Sequence, residues 1–167
     1  MVLELDENEA RRFSLGVMKT TWEVYVTTVD ENGFPATRAM DNLRNSMRYP
    51  RLTELFKRHS DDLRVLLSAN TSSVKVQHIK RNPSVCVYYC EPLRFHGVSL
   101  SGRAEIVKDA ELKHGLWQDY WARYYYPKGI DDPDYTVLSL YPTLVQGWHG
   151  SGKFEFTMKR AGGEKGE

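Results

Sequence analysis

LLSANTSSVKVQHIKRNPSVCVYY, residues Leu66 to Tyr89, reads as two strands with a short helix between them. Arg64 to Ser68 is an apolar run, and Val85 to Tyr89 is β-branched and aromatic, the composition of strands. Between them the polar loop Ala69 to Ser73 runs into a helical segment whose apolar stripe is Val76 and Ile79. Asn82-Pro83 ends the segment, because the residue before a proline is pushed out of the helical region. Ser72 or Ser73 is placed to cap it by accepting from first-turn N–H groups. That turn gathers Thr71, Ser72, Ser73 and the ammonium of Lys75. Free N–H groups, hydroxyls and a lysine at a helix N-terminus are the chemistry of a phosphate site. The plainer reading is a capped helix carrying a solvated lysine.

A chain of 167 residues is long enough for one domain with its own core. The single domain is expected over residues 1–160, with a polar C-terminal tail, disordered, over 161–167. Formal charge is +1 with histidine neutral and no basic tract appears, so nucleic acid is not the default partner. Ten tyrosines and four tryptophans suit a β-rich core, and equally a site that stacks on a planar ligand. Cys86 and Cys90 share one face of a strand about 13 Å apart, too far for a disulfide between them. Two reduced thiols, an acidic N-terminus without a long apolar run, and no membrane-length segment together predict a cytoplasmic location and no membrane contact. The five histidines and two cysteines show no metal-ligand spacing, so no metal is expected.

Working outward, Asp6 to Lys19 reads as a helix capped by Asp6, with Leu15 and Met18 on its apolar face. Trp22 to Val29 and Phe34 to Asn42 are a hairpin turned by Asp30-Glu31-Asn32-Gly33, where Asn-Gly supplies positive φ. Arg44 to Tyr49 is loop, and Leu52 to His59 is a short helix with Leu52, Leu55 and Phe56 on one side. Phe95 to Val107 is a long strand interrupted by Gly97 and Gly102, which mark a bulge, a bend or a close approach. Asp109 to Tyr125 reads as a second substantial helix with Leu116, Tyr120, Trp121 and Tyr124 as an aromatic stripe, for core or subunit interface. Tyr135 to Tyr141, Thr143 to Trp148 and Lys153 to Met158 are further strands. The order predicts an α+β protein: a mostly antiparallel small β-barrel with helices outside.

GFPATRAM after a hairpin, then SANTSSVKVQHIKRNPSVCVYY, VSLSGRAEIV, PKGIDDPDY and VQGWHG resemble the pyridoxamine 5'-phosphate oxidase-like flavoproteins, in their general stress protein type branch. The resemblance covers roughly Trp22 to His149. It implies a six-stranded split β-barrel and a homodimer with FMN as cofactor in each of two clefts between subunits. By position it implies that Arg38, Lys75 and Ser73 contact the FMN phosphate. The backbone from Arg38 through Ala39, Met40 and Asp41 to Leu43 would run along the flavin ring. Ser68 or Ala69 stands where the family has a threonine, and Trp148 where it has a tryptophan near the flavin of the other subunit. The vitamin-forming oxidases carry an Arg-x-His pair after that tryptophan; here GSGKFEFTMKR lacks it, so a true pyridoxamine phosphate oxidase is not expected. The segment from Arg44 to Asp62 is longer than in the stress-protein branch, placed to cover the site and shape its substrate.

An oxidoreductase on this scaffold takes a small-molecule substrate. No Gly-rich dinucleotide fingerprint is present, so a nicotinamide donor would bind in the cleft itself. Catalytic residues are not assigned; His96 and His149 are the acid–base candidates near the cleft, each with a structural reading beside it. Two other classes compete. One binds a different planar cofactor, haem or a deazaflavin. The other is a non-enzymatic module, either a flavin sensor or an aromatic single-strand binder.

Overall fold

The computed structural model describes residues 5–159. The expected tail at 161–167 lies outside the described residues.

α1 (Glu7–Thr20) starts where Asp6 and Glu9 close a reciprocal capping box, each side chain accepting from the other's backbone N–H. β1 (Glu23–Val29) and β2 (Pro35–Asp41) form the expected hairpin. Its turn has Gly33 at φ 86°, and the Asp30 carboxylate accepts from the N–H groups of Asn32 and Phe34. A short 3-10 turn (Pro50–Leu52) leads into α2 (Thr53–Lys57). β3 (Val65–Asn70), α3 (Val74–Arg81) and β4 (Ser84–Glu91) occupy the stretch that opened the sequence reading. β5 (His96–Ile106), α4 (Ala110–Leu116), β6 (Tyr135–His149) and β7 (Gly152–Thr157) complete the chain.

The strands run β2-β1-β4-β5-β6-β3, with β7 paired to the far half of β6, and every pairing is antiparallel. The sheet curls into the six-stranded split barrel of an α+β protein, with β7 as a seventh, hairpin strand. Inward positions of alternating strands, among them Val24, Val26, Leu67, Val87, Leu100 and Val145, fill the barrel. Val17 and Met18 of α1 and Val76 and Ile79 of α3 join the same core. Each such side chain, fully buried, stabilises by about 1.5–3 kcal/mol.

Two elements differ from the sequence expectation. The helix expected over Asp109 to Tyr125 stops at Leu116 and resumes as a 3-10 segment, Asp119–Arg123. The break lets Trp117, Trp121 and Tyr125 converge on Tyr135, at ring-centroid distances of 5.0, 6.1 and 5.5 Å. Tyr120 and Tyr124, expected on the same stripe, are exposed. Burying aromatic area here outweighs the hydrogen bonds of a continuous helix. The two strands expected on either side of Pro142 are one, because the ladder slips between Ser101 and Gly102 and sets Gly102 opposite Pro142. The bulge falls where the proline has no N–H to give. A Cβ on Gly102 would stand 2.7 Å from the Tyr141 carbonyl oxygen, so only glycine allows that approach.

The aromatic cluster belongs to a second core with Leu43, Tyr49, Leu52, Phe56 and Leu66. The Arg44–Asp62 segment is thereby half of a packed layer. Its entry is fixed by Asn42 and Asn45, whose side-chain amides donate to the carbonyls of Met18, Thr20 and Thr21 at the end of α1. Between them Arg44 is buried, donating to the carbonyls of His59 and Arg64 with its guanidinium over the Phe56 ring.

Candidate functional site

The β3–α3 loop is shaped by a residue far away in sequence. Asp134 accepts from the Ser72 N–H at 2.7 Å, the Ser72 hydroxyl at 3.1 Å and the Asn70 amide at 2.7 Å. These donors, the Asn70 amide first, hold its carboxyl below the usual carboxylate range. Thr71 is tied to the same loop, its N–H to the Asp134 carbonyl and its hydroxyl to the Pro133 carbonyl.

The side-chain cap expected from Ser72 or Ser73 is absent. Ser73 is the N-cap by backbone position, but its hydroxyl turns back and donates to the Asn70 carbonyl at 2.6 Å, while that of Ser72 is taken by Asp134. The N–H groups of Val74 and Lys75 consequently have no partner among the described residues. A helix start left open in this way is the more available to an anion.

Arg38, on the inward face of β2, acts electrostatically on Lys75 at this helix start. Burial lowers the pKa of both, and the Arg38 charge lowers that of Lys75 further. No ion pair among the described residues includes either side chain. Two half-buried cations within electrostatic reach of one another, with no ion pair to a carboxylate among the described residues, repel one another until an anion joins them. Arg38 Nη1 donates to the Val26 carbonyl at 3.1 Å and the Thr28 hydroxyl at 2.8 Å. Its Nε and Nη2 have no partner among the described residues, which leaves one edge of the fork for a ligand. The residues thus fit a phosphate ester: a fork, a point charge and two backbone N–H groups.

The other residues named from the sequence sit further from this centre. Ala39 is exposed on the outer face of β2, Met40 packs on the barrel core, and Asp41 pairs with Arg48 at 2.8 Å. Ser68 pairs with Val137 and shares the strand face of Leu66, on the side of the second core. Trp148 lies on the outer face of the sheet, tilted against Tyr88 at 5.5 Å between ring centroids. Gly97 makes room for both rings, since a Cβ there would collide with Trp148 and Tyr88. Trp148 and Arg38 therefore point to opposite faces of one sheet. His96 and His149 face each other across β5 and β6 as stacked rings 5.2 Å apart. Phe13 of α1 packs edge-on against both, and Glu91 Oε2 lies 3.3 Å from His96 Nδ1.

Thr28 and His78 were missed in the sequence. His78 Nδ1 lies 2.9 Å from the Thr28 hydroxyl, directly behind Arg38. Their signal is a polar residue at an inward position of an apolar face: Thr28 after Val24 and Val26, and His78 beside Val76 and Ile79.

Among the described residues no group of three or more His, Cys, Asp or Glu comes together to hold a metal. No helix among them is long and apolar enough to cross a membrane.

Known proteins are similar to this chain in sequence and fold. Over 89 residues the chain is 31% identical to general stress protein 26 of Bacillus subtilis, a match covering 52% of the chain and 62% of that relative. A crystal structure from Clostridium acetobutylicum, of a protein related to general stress protein 26, superposes with a TM-score of 0.67 at 30% identity. That match covers 92% of this chain and 97% of the other. A haem-binding protein from Mycobacterium smegmatis shares the fold at 17% identity and a TM-score of 0.62, over 93% of this chain and 60% of its own. Residues 23–149 match the family model described as pyridoxamine 5'-phosphate oxidase, and the chain belongs to that family.

Proposed function

We propose that the chain is an FMN-binding flavoprotein that serves as an oxidoreductase on a small molecule. One observation carries the reading: Arg38 and Lys75 are half-buried within electrostatic reach of one another, with depressed pKa values and no ion pair to a carboxylate among the described residues. A dianionic phosphate ester answers that arrangement, with the Arg fork gripping two oxygens and the lysine a third position. Bound flavin supplies redox chemistry; the chain binds it, orients it and excludes water from one face. Pyridoxamine phosphate is not the expected substrate, because GSGKFEFTMKR, residues 150–160, lacks the Arg-x-His pair that would hold it.

Titration of the flavin-free protein tests this directly. FMN is expected to bind at least tenfold more tightly than riboflavin, the difference made by charge-assisted contacts to the phosphate. Equal affinity removes the phosphate clamp, and a Soret band in the purified protein replaces flavin with haem.

The assembly in this proposal is a homodimer. Tyr25 and Trp148 are 45% and 37% exposed, and with Tyr88 and Cys86 they line the outer face of β1, β4, β5 and β6. Because Trp148 points away from its own Arg38, a second copy offers the route by which both would reach one flavin. Sedimentation is expected to show twice the chain mass at micromolar concentration. Tyr25→Asp weakens that association by roughly tenfold or more, as loss of a central interface tyrosine does. A monomer with FMN bound sinks the dimer.

A further inference from the structure

We propose that Thr28 and His78 are the positioning residues of the phosphate clamp, acting on the ligand through Arg38. The inference rests on the reading of Arg38 and Lys75 as a phosphate site. Three side chains form a line from the helix interior to the clamp. Arg38 Nη1 donates to the Thr28 hydroxyl at 2.8 Å, and that oxygen lies 2.9 Å from His78 Nδ1.

The direction of each bond follows from what each group can give. Arg38 only donates, so the Thr28 oxygen accepts from it. Thr28 is fully buried, and its hydrogen has no other acceptor among the described residues than His78 Nδ1. Nδ1 therefore accepts, and the ring carries its proton on Nε2. Nε2 has no partner among the described residues. The ring borders a cleft of about 360 Å³ with Asp30, Glu31, Gln77 and Arg81, where water can take that proton's bond.

The consequence lies at Arg38. The Val26 carbonyl and the Thr28 hydroxyl together take both hydrogens of Nη1. Two acceptors fix the plane of the guanidinium, and the Nε–Nη2 edge is then presented as a ready fork. Without the Thr28–His78 pair the side chain keeps its charge but loses its aim. Preorganisation of this kind shows in affinity for the ligand that uses the fork.

The experiment titrates FMN and riboflavin into flavin-free protein by fluorescence quenching at constant ionic strength, beside thermal melts of the same proteins. In Thr28→Val and His78→Gln the FMN affinity falls about five- to tenfold, the size of one lost neutral hydrogen bond, while riboflavin affinity stays at the parent value. Thr28→Ser keeps the hydroxyl, and His78→Asn keeps an acceptor where Nδ1 stood; both bind FMN like the parent. In an Arg38→Lys background Thr28→Val has no further effect on FMN, because the two act as a unit. A parent protein that binds FMN and riboflavin equally overturns the phosphate site itself. A parent that discriminates, with Thr28→Val or His78→Gln discriminating as well as it does, overturns the positioning role alone. If Thr28→Val does not fold, the pair His78→Gln and His78→Asn decides: equal FMN affinity in the two also overturns the role.

Discussion

Lys75→Ala is expected to bind FMN roughly ten- to a hundredfold more weakly than the parent, from loss of a charge-assisted contact worth about 1.5–3 kcal/mol. It should do so without melting earlier. The lysine is half-buried at the start of α3, with no hydrogen bond or ion pair among the described residues. Its pKa is lowered by burial and then by Arg38. A lysine whose pKa is lower folded than unfolded is destabilising while charged, and this is relieved as pH rises through the folded value. Near neutral pH, alanine removes the same repulsion, so the flavin-free variant melts at or above the parent temperature. Alanine is also the better helix former. The two measurements therefore move in opposite senses. A variant that melts early and binds FMN normally would make Lys75 a structural residue and end the reading of this loop as the phosphate site.

The local features of the chain were legible where physics is local. The Asp6 cap of α1, the Asn-Gly turn with Gly33 at positive φ, and the stop of α3 before Pro83 all follow from residues within four positions of one another. The pairing of Arg38 with Lys75 was legible only through the family pattern, since nothing in spacing brings a strand residue to a helix on another part of the chain. What the sequence hid was settled at long range. Ser72 or Ser73 is the side-chain cap expected from the sequence, but Asp134, 62 residues on, takes the Ser72 hydroxyl and gathers the loop, in which the Ser73 hydroxyl turns to the Asn70 carbonyl. The helix after Asp109 breaks because Trp117 and Trp121 find Tyr135 on β6. β6 runs through Pro142 because the ladder to β5 slips there, with Thr143 as the extra residue on β6 and Gly102 set opposite the proline. In each case a tertiary contact overrode a local preference. The same holds for the site: Thr28 and His78 look like ordinary polar interruptions until the fold sets one against the other.

Val76→Asp, one residue beyond the lysine, is expected to have the opposite effect. Val76 is fully buried in the barrel core, alongside Val26, Leu67 and Ile79 in the same cluster. An aspartate there leaves water for an apolar cluster. Uncompensated buried charge costs on the order of 3–5 kcal/mol. That is a third or more of the stability of an ordinary domain, and at this chain length it lowers the melting temperature by roughly 6–20 °C. Val76→Ala removes only two buried methyl groups, about 2 kcal/mol with the space they leave, and so melts between the parent and the aspartate. The loss in Val76→Asp is largest near neutral pH and shrinks in acid, because protonating the carboxyl removes the buried charge while the unfolded chain stays indifferent. The fraction that remains folded keeps Arg38, Lys75 and the open N–H groups, so FMN affinity corrected for that fraction matches the parent. Thermal melts at two pH values beside the FMN titration test all of this. A Val76→Asp protein that melts with the parent would mean that α3 does not pack its Val76–Ile79 stripe on the barrel in solution, and the clamp at its first turn would lose the support that holds Lys75 beside Arg38.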